Sequence, residues 1–472
     1  MKTKEILYTA ILSVFGALAG GCSLDVPYEN QFSDPDAIST PGTARELLAT
    51  AYSALPNPEY DLSVFADDFA PTAWARNNPS SINAYNWQPQ SFQDISASLW
   101  PQYYSVISTI NALLERMPAI KAQNDGERAL LAEITAEAKA LKAYCYFQLV
   151  RIYGPDYADG PDADAIVLKD AVKMQNLSRS SVKASVEAIR TLLGDALQVE
   201  TRTMAETHWF SLNATRYLAA EVELYAGNYG RAAELAKTLI DEIGTDVLAP
   251  AAYNNLWTED NCAERILTYG NVDKSETFYL DIVYDRDAGD YFSVAPALVS
   301  SYDADDCRRA WCLFETTSPT LGFQSYMGKY NALRKQQKTI SQIVKMRLSG
   351  AVFILAQAYA LDGENEDKAV GVLNDYLTQR GAPTVDPGLR GTPLLRAILA
   401  EKHKEFVGEG ERWFDLKHYR RTVLADWTSG QSAERRIAAD DYRWLWPIPR
   451  DEYLYNENMS QNPVWPKNSF ND

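Results

Sequence analysis

The side chains best suited to chemistry are aromatic rings set among amides and charges in one short stretch. They are Trp74, Arg76, Asn77, Asn78, Tyr85 and Trp87. The faces of sugar rings carry C–H groups that pack on Trp or Tyr, and sugar hydroxyls need donors and acceptors such as Asn and Arg. The stretch therefore suits non-covalent contact with a sugar, although loop aromatics also fill gaps against a scaffold.

A second aromatic-rich stretch, from about residue 248 to residue 338, offers an opposing wall for such a ligand. Tyr291 and Trp311 are its candidates, and Trp311 follows Arg308 and Arg309, which suits an acidic or amphipathic group. A loop-rich region also needs a small core of its own, and aromatic residues provide it. We therefore expect most other aromatics in this stretch to be core residues.

Signatures of catalysis are missing from the sequence. The chain has three histidines, no His-Glu-x-x-His pair, no Gly-x-Ser-x-Gly elbow and no phosphate-binding glycine loop. A glycosidase would need only two carboxylates at a suitable separation, and Asp67, Asp68, Glu405, Glu409 and Glu411 are available. We predict a protein without enzymatic activity or cofactor, with glycosidase as a rival.

Acidic loops and cysteines could hold metals or form disulfides. The acidic stretches are Asp156, Asp159, Asp162 and Asp164, and Asp303, Asp305 and Asp306. Neither has the spacing of an EF-hand loop, so we expect solvated loops and no metal site. Cys307 and Cys312 could pair after export, but in a long chain with a large core they are expected to be free.

The first residues resemble a bacterial lipoprotein signal peptide. Basic residues precede an apolar run from Ile6 to Leu18, and the small residues Ala19-Gly20-Gly21 precede Cys22. The apolar run is too short to cross a bilayer as a helix. We predict a signal peptide over residues 1–21 and lipid attachment at Cys22. The formal net charge of −18 disfavours nucleic acid as a ligand.

Long amphipathic helices must position these candidates. Apolar residues recur at steps of three and four from Glu133 to Tyr153 and predict one packed helix. The segments Asn213–Ile243 and Arg347–Arg380 each predict two helices, with turns at residues 227–229 and 362–365. Ala232 and Ala369 lie where each second helix must approach the first, as in tetratricopeptide-like hairpins. Prolines interrupt residues 60–100, which we expect to be a loop-rich insert like residues 248–338.

The C-terminal third carries the most specific sequence pattern. It runs from Ile398 to Lys417 and includes Glu405-Phe406-Val407-Gly408-Glu409-Gly410-Glu411-Arg412-Trp413-Phe414-Asp415. Further blocks follow a fixed order: Glu137–Tyr144 leading to Tyr153-Gly154-Pro155, the Arg347–Ala360 helix, Pro447-Ile448-Pro449 and Gln461-Asn462-Pro463. Together these blocks resemble the SusD/RagB family of nutrient-binding outer-membrane lipoproteins, although Lys402 and Lys417 stand where that family often has Arg.

The resemblance covers residues 22–472 and implies an all-α fold of tetratricopeptide-like units with an irregular, loop-rich ligand-binding face. It implies a lipid-anchored protein on the exterior of the outer membrane. Such a protein captures an oligosaccharide and delivers it to a SusC-like TonB-dependent transporter, without catalysis. Oligopeptides are the alternative ligands, and a tetratricopeptide-type adaptor is a further alternative. The Trp-rich and Asn-rich early stretch favours sugar.

The block from Ile398 to Lys417 has a structural reading of its own. Phe406, Trp413, Phe414 and Leu416 are apolar anchors, while Gly408 and Gly410 allow a turn between two helices. Arg412 and Asp415 are three residues apart and could pair on one helix face. We therefore expect this block to maintain the fold and not to contact ligand.

Overall fold

Helices dominate the protein, and the computed structural model describes residues 38–77, 79–200, 202, 207–259, 262–269, 291–330, 343–426 and 435–466. The first helices are α1 Pro41–Ser53, α2 Glu59–Phe65, α3 Ala73–Arg76, α4 Pro79–Tyr85, α5 Pro89–Arg116, α6 Asp125–Tyr153, α7 Val182–Leu197, α8 Leu212–Tyr225 and α9 Tyr229–Ile243. The later helices are α10 Pro250–Thr258, α11 Pro296–Ser301, α12 Arg309–Cys312, α13 Leu348–Leu361, α14 Glu366–Gln379, α15 Gly391–Glu405, α16 Glu411–Tyr419 and α17 Arg450–Leu454.

The strands are short and pair two by two. They are β1 Phe69–Pro71, β2 Asp164–Ile166, β3 Ser180–Ser181, β4 Arg265–Tyr269, β5 Phe292–Val294, β6 Leu313–Ser318, β7 Gly322–Met327 and β8 Ile343–Arg347. The antiparallel pairs are β1 with β5, β2 with β3, β4 with β8, and β6 with β7. The fold is therefore all-α with local two-stranded ribbons, as predicted.

The predicted helices and turns are confirmed. Helix α6 ends at Tyr153 as expected and begins at Asp125, eight residues before Glu133, because the Asn124 side chain accepts from the Glu127 N–H and caps its N-terminus. Helices α8 and α9 are joined at Gly227, and α13 and α14 at Gly363, both with φ +76°. A positive φ carries no steric penalty in glycine, so these turns can be tight.

Successive helices stack into a continuous scaffold. Helix α5 packs on α1 and α6, α6 on α7, α7 on α8, and α8 on α9. Helix α9 then packs directly on α13, although residues 244–347 lie between them in sequence, and α13 packs on α14 and α15. The buried alanines Ala232 and Ala369 permit close contact within the hairpins, as predicted. Of the described residues between 244 and 347, some, such as Leu267 of β4, still pack in the scaffold core, and others form a second core.

A second, smaller core lies outside the scaffold core. It joins residues of the segment 60–100, called the early segment below, with residues between 244 and 347. Its members include Phe69, Ala75, Tyr85, Tyr253, Trp257, Phe292, Trp311 and Met327. Residues 60–100 contain helices α2, α3, α4 and the start of α5, so they are less loop-like than expected. Pro79 and Pro89 each open a helix, where the missing N–H costs no hydrogen bond.

The block from Ile398 to Lys417 holds the early segment in place, but not through the expected pair. Arg412 forms two hydrogen bonds with Asp67, at 2.7 and 3.0 Å, and does not pair with Asp415. Asp415 instead accepts from Lys402 Nζ at 2.8 Å. The predicted Arg412–Asp415 pair is therefore wrong, because the Asp67 carboxylate, distant in sequence, accepts two hydrogen bonds from the Arg412 guanidinium.

Two expectations about acidic loops and cysteines are now resolved. Asp156 and Asp306 are buried and hydrogen-bonded, Asp156 to His418 at 2.7 Å and Asp306 to Arg308. For these two residues the expectation of a solvated loop is therefore wrong. Within the described residues, no group of carboxylates, histidines or cysteines is arranged to hold a metal. Cys307 and Cys312 are free thiols, as expected. None of the described helices is both long enough and apolar enough to cross a bilayer.

Candidate functional site

The early segment and Tyr291, which are far apart in sequence, lie side by side. Strand β1 pairs with β5 in the register Phe69 to Val294 and Pro71 to Phe292. Beyond the ends of the two strands, the Thr72 N–H and hydroxyl both donate to the Tyr291 carbonyl oxygen at 3.0 Å. The described parts of the two aromatic-rich stretches therefore meet side by side at β1 and β5.

Trp74 is presented on this surface by the short helix α3. Ala75 is fully buried in the second core, while Trp74 is 50% exposed and its neighbours Arg76 and Asn77 are exposed. Thr72 caps the helix by accepting from the Ala75 N–H at 3.5 Å. The buried Ala75 and the adjoining strand pair hold the backbone of helix α3 in place. Asn78, also a candidate, lies outside the described residues.

Trp87 lies in the core, which corrects the expectation that it contacts ligand. Its side chain is fully buried, and its Nε1 donates to the Phe65 carbonyl oxygen at 2.7 Å. The ring centroids of Phe92, Trp413 and Trp444 lie 5.5, 5.2 and 4.7 Å from that of Trp87. The backbone at Trp87 has φ +56°, a costly conformation that the surrounding packing must impose.

Tyr85 and Trp311 are also buried, so neither presents a ring face to solvent. Both belong to the second core, and the Arg435 guanidinium lies 4.2 Å from the Tyr85 ring centroid. Arg308, expected to meet an acidic ligand group beside Trp311, is itself buried and pairs with Asp306 at 2.7 Å. Both rings are packed in the second core, which corrects the expectation that they contact ligand.

Phe323 is an exposed aromatic residue that the sequence analysis did not select. It lies near the start of β7, in register with Thr317 of β6, and is 66% exposed. Strand β5 packs against β7 as well as β1, so the β6–β7 hairpin flanks the same region. Its signal in the sequence is weak, because Phe323 is one of many aromatic residues between 248 and 338.

The carboxylates that could have served a glycosidase take part in ion pairs. Burial alone would raise the pKa of Asp67, but the Arg412 guanidinium holds it well below its usual range. Burial likewise acts to raise the pKa of Glu405, yet Arg347 and Arg380 lower it to about 2. A general acid needs a raised pKa, so neither Asp67 nor Glu405 fits that role. Asp68 contacts His403 at 2.9 Å, and Glu409 contacts Lys329 at 2.6 Å.

Two family models match the chain over well-separated segments. One is described as starch-binding associating with the outer membrane and matches residues 23–219. The other is described as the SusD family and matches residues 315–465. The two segments together cover well over half of the chain.

Similar proteins carry the same family description. The SusD-like protein P2 of Formosa agariphila is 26% identical over 419 residues, which cover 78% of this chain and 80% of that protein. The SusD-like protein P38 of the same organism is 22% identical, and the match covers 98% of this chain and 99% of that protein.

Solved structures show the same fold. A SusD superfamily protein from Bacteroides thetaiotaomicron matches with a TM-score of 0.74 at 22% identity and covers 90% of this chain and 100% of its own. A putative sugar binding protein from Bacteroides vulgatus matches with a TM-score of 0.73 at 21% identity and covers 91% and 99%. A SusD-like carbohydrate binding protein from the same species matches with a TM-score of 0.73 at 20% identity and covers 92% and 100%.

Proposed function

Because this chain belongs to the SusD/RagB family, we propose that it is a lipid-anchored protein on the exterior of the outer membrane that binds an oligosaccharide. It delivers that ligand to a SusC-like TonB-dependent transporter and performs no chemistry on it. The family descriptions, which name starch binding and the outer membrane, support this role, as do relatives of the same fold named as sugar or carbohydrate binding.

One observation carries the proposal on ligand class, namely the exposed indole of Trp74 between polar neighbours. An indole face packs on the C–H face of a sugar ring, and the exposed Arg76 and Asn77 side chains can bond to its hydroxyls. Because Thr72 and Ala75 hold helix α3, its backbone needs little reordering on binding, which limits the entropic cost. Tyr291 remains a proposed contact, and so does Asn78, on the sequence alone.

A ligand screen separates the two ligand classes. The acyl-free protein, residues 23–472, is applied to a glycan array and in parallel to an oligopeptide library. We expect retention of one family of oligosaccharides and recovery of the bound glycan uncleaved after prolonged incubation. Selective retention of peptides would favour the alternative ligand, and release of shorter sugars would show a glycosidase.

Replacing Trp74 with alanine should weaken binding of the glycan found on the array and leave the fold intact. The loss of a stacked indole is expected to cost about 1–2 kcal/mol of binding free energy, roughly 5–30-fold in Kd. Isothermal titration calorimetry measures the affinity, and thermal unfolding measures the stability. Tyr455→Ala is the matched control, because Tyr455 is also an exposed aromatic residue, 83% exposed, on a different segment.

Replacing Cys22 with serine should release the protein from the membrane and reduce uptake of the ligand without changing its affinity in solution. A tether keeps the binding protein near its transporter at a high effective concentration. Membrane fractionation and uptake of labelled ligand measure the effect. Uptake that persists with the protein released from the membrane would show that the lipid only locates the protein there and takes no part in the mechanism. Cys22 lies outside the described residues, so this proposal rests on the sequence.

A further inference from the structure

A small, partly enclosed cavity lies where five elements of the chain meet. It has a volume of about 30 Å³ and is lined by residues of α2, α6, α8, β8 and the start of α16, among them Glu59, Arg151, Glu221, Lys345 and Glu411. This cavity is separate from the surface around Trp74. Its lining combines apolar side chains with several charged ones, which favours hydration, because cavities that stay dry are apolar.

Three polar atoms in this lining have no hydrogen-bond partner among the described residues, but one of them, Lys345 Nζ, contacts Glu59 in an ion pair. Glu59 Oε2, an acceptor, and Arg151 Nε, a donor, are buried without a hydrogen bond to any residue in the described parts of the chain. The other groups of Arg151 are occupied, since Nη1 donates to Glu221 at 2.5 Å and Nη2 to Gln148 at 2.9 Å. Native proteins rarely leave such atoms unsatisfied, because each one costs free energy.

The guanidinium of Arg151 cannot readily turn to find another partner. It lies between two aromatic rings, 4.5 Å from the centroid of Phe147 and 3.8 Å from that of Phe414. Glu59 is similarly held, because its other oxygen forms an ion pair with Lys345. The unsatisfied donor and acceptor are therefore fixed features of the cavity.

The charges around the cavity leave no need for an ion. Each lining carboxylate has a cationic partner: Glu59 pairs with Lys345, Glu221 with Arg151, Glu409 with Lys329 and Arg347, and Glu411 with Lys402. A bound cation would satisfy Glu59 Oε2 but not Arg151 Nε, and a bound anion would do the reverse. Water suits both atoms, because it can donate to Glu59 Oε2 and accept from Arg151 Nε.

We propose that this cavity is an internal hydration site that holds about two water molecules. A water needs roughly 10–15 Å³ of such volume and two to four polar partners, and the cavity offers both. One water donates to Glu59 Oε2, and one accepts from Arg151 Nε. The water molecules thereby connect α2, which precedes the segment that carries Trp74, to the central scaffold helix α6.

A crystal structure of the acyl-free protein at about 1.5 Å resolution tests this inference. We expect ordered water within hydrogen-bond distance of Glu59 Oε2 and Arg151 Nε. In solution, oxygen-17 magnetic relaxation should count these among the long-lived internal waters. Density for a metal ion or an anion, or no density at all in the cavity, would overturn the inference.

The double variant Glu59→Leu/Lys345→Leu is the matched test, because it removes the acceptor and its counterion together and leaves the net charge unchanged. We expect it to lose one or two long-lived waters while Arg151 keeps its bonds to Glu221 and Gln148. An unchanged water count in a folded variant would contradict the assignment. If the variant does not fold, the wild-type crystal structure decides alone.

Discussion

Replacing Trp87 with alanine is expected to lower the free energy of unfolding by about 3–5 kcal/mol. The side chain is fully buried among Phe65, Phe92, Trp413 and Trp444, and it satisfies the Phe65 carbonyl oxygen. Its removal leaves a large cavity and an unpaired acceptor. The positive φ at this position also loses the packing that holds it.

Urea unfolding of the wild type, Trp87→Ala and Trp74→Ala measures this effect. The Trp74 variant is the matched control, because the same residue type is half exposed there and its removal should cost less than about 0.5 kcal/mol. The two indoles thus separate stability from binding: one variant loses stability, and the other loses affinity. Equal stability of the two variants would show that Trp87 is not part of the core.

Replacing Glu405 with glutamine is expected to cost about 3 kcal/mol of stability at neutral pH. Glu405 is fully buried, forms an ion pair with Arg347, lies 3.8 Å from Arg380 and accepts a hydrogen bond from Tyr376. Glutamine keeps the shape but removes the charge, which leaves two buried guanidinium groups with less compensation. Glu264 retains contact with both arginines and limits the loss.

An exposed ion pair provides the control for this variant. Asp426 contacts Arg396 at 2.5 Å, but the two side chains are 60% and 48% exposed, so Asp426→Asn should change stability by less than about 0.5 kcal/mol. Denaturant unfolding at pH 7 measures both variants. A cost for Glu405→Gln no greater than that of the control would show that the buried network does not hold the fold.

The pH dependence of the Glu405 effect has a defined sign. Burial acts to raise its pKa, but Arg347, Arg380, Arg308 and Lys329 lower it to about 2 in the folded protein. A carboxyl with a depressed folded pKa stabilises the fold above its unfolded pKa of about 4.3 and loses that contribution as the pH falls toward 2. The stability gap between wild type and Glu405→Gln should therefore narrow between about pH 5 and pH 2.

The scaffold could be predicted from the sequence because its signals are local. The apolar steps before Tyr153 and the turns at Gly227 and Gly363 depend on neighbours a few residues away, and the structure confirms them. Side-chain partners could not be predicted in the same way. Arg412 is three residues from Asp415 yet pairs with Asp67, which is 345 residues away.

The residues around Trp74 show the same contrast between local sequence signals and contacts with distant residues. The sequence placed Trp74 and Trp87 in one aromatic group, because nothing local distinguishes them. Burial of Trp87 depends on Trp413 and Trp444, more than 300 residues further along the chain. Tyr291 was expected to face Trp74 from an opposing wall, whereas β1 and β5 bring the two stretches side by side.

The most direct test of the account is a crystal structure of the acyl-free protein with the oligosaccharide that binds most tightly on the array. We predict a sugar ring packed against the Trp74 indole at about 4 Å, with hydroxyls bonded to Arg76 or Asn77. A ligand bound elsewhere, for example in the 300 Å³ cleft between Gln93 and Tyr453, with Trp74 still exposed to solvent, would contradict the account.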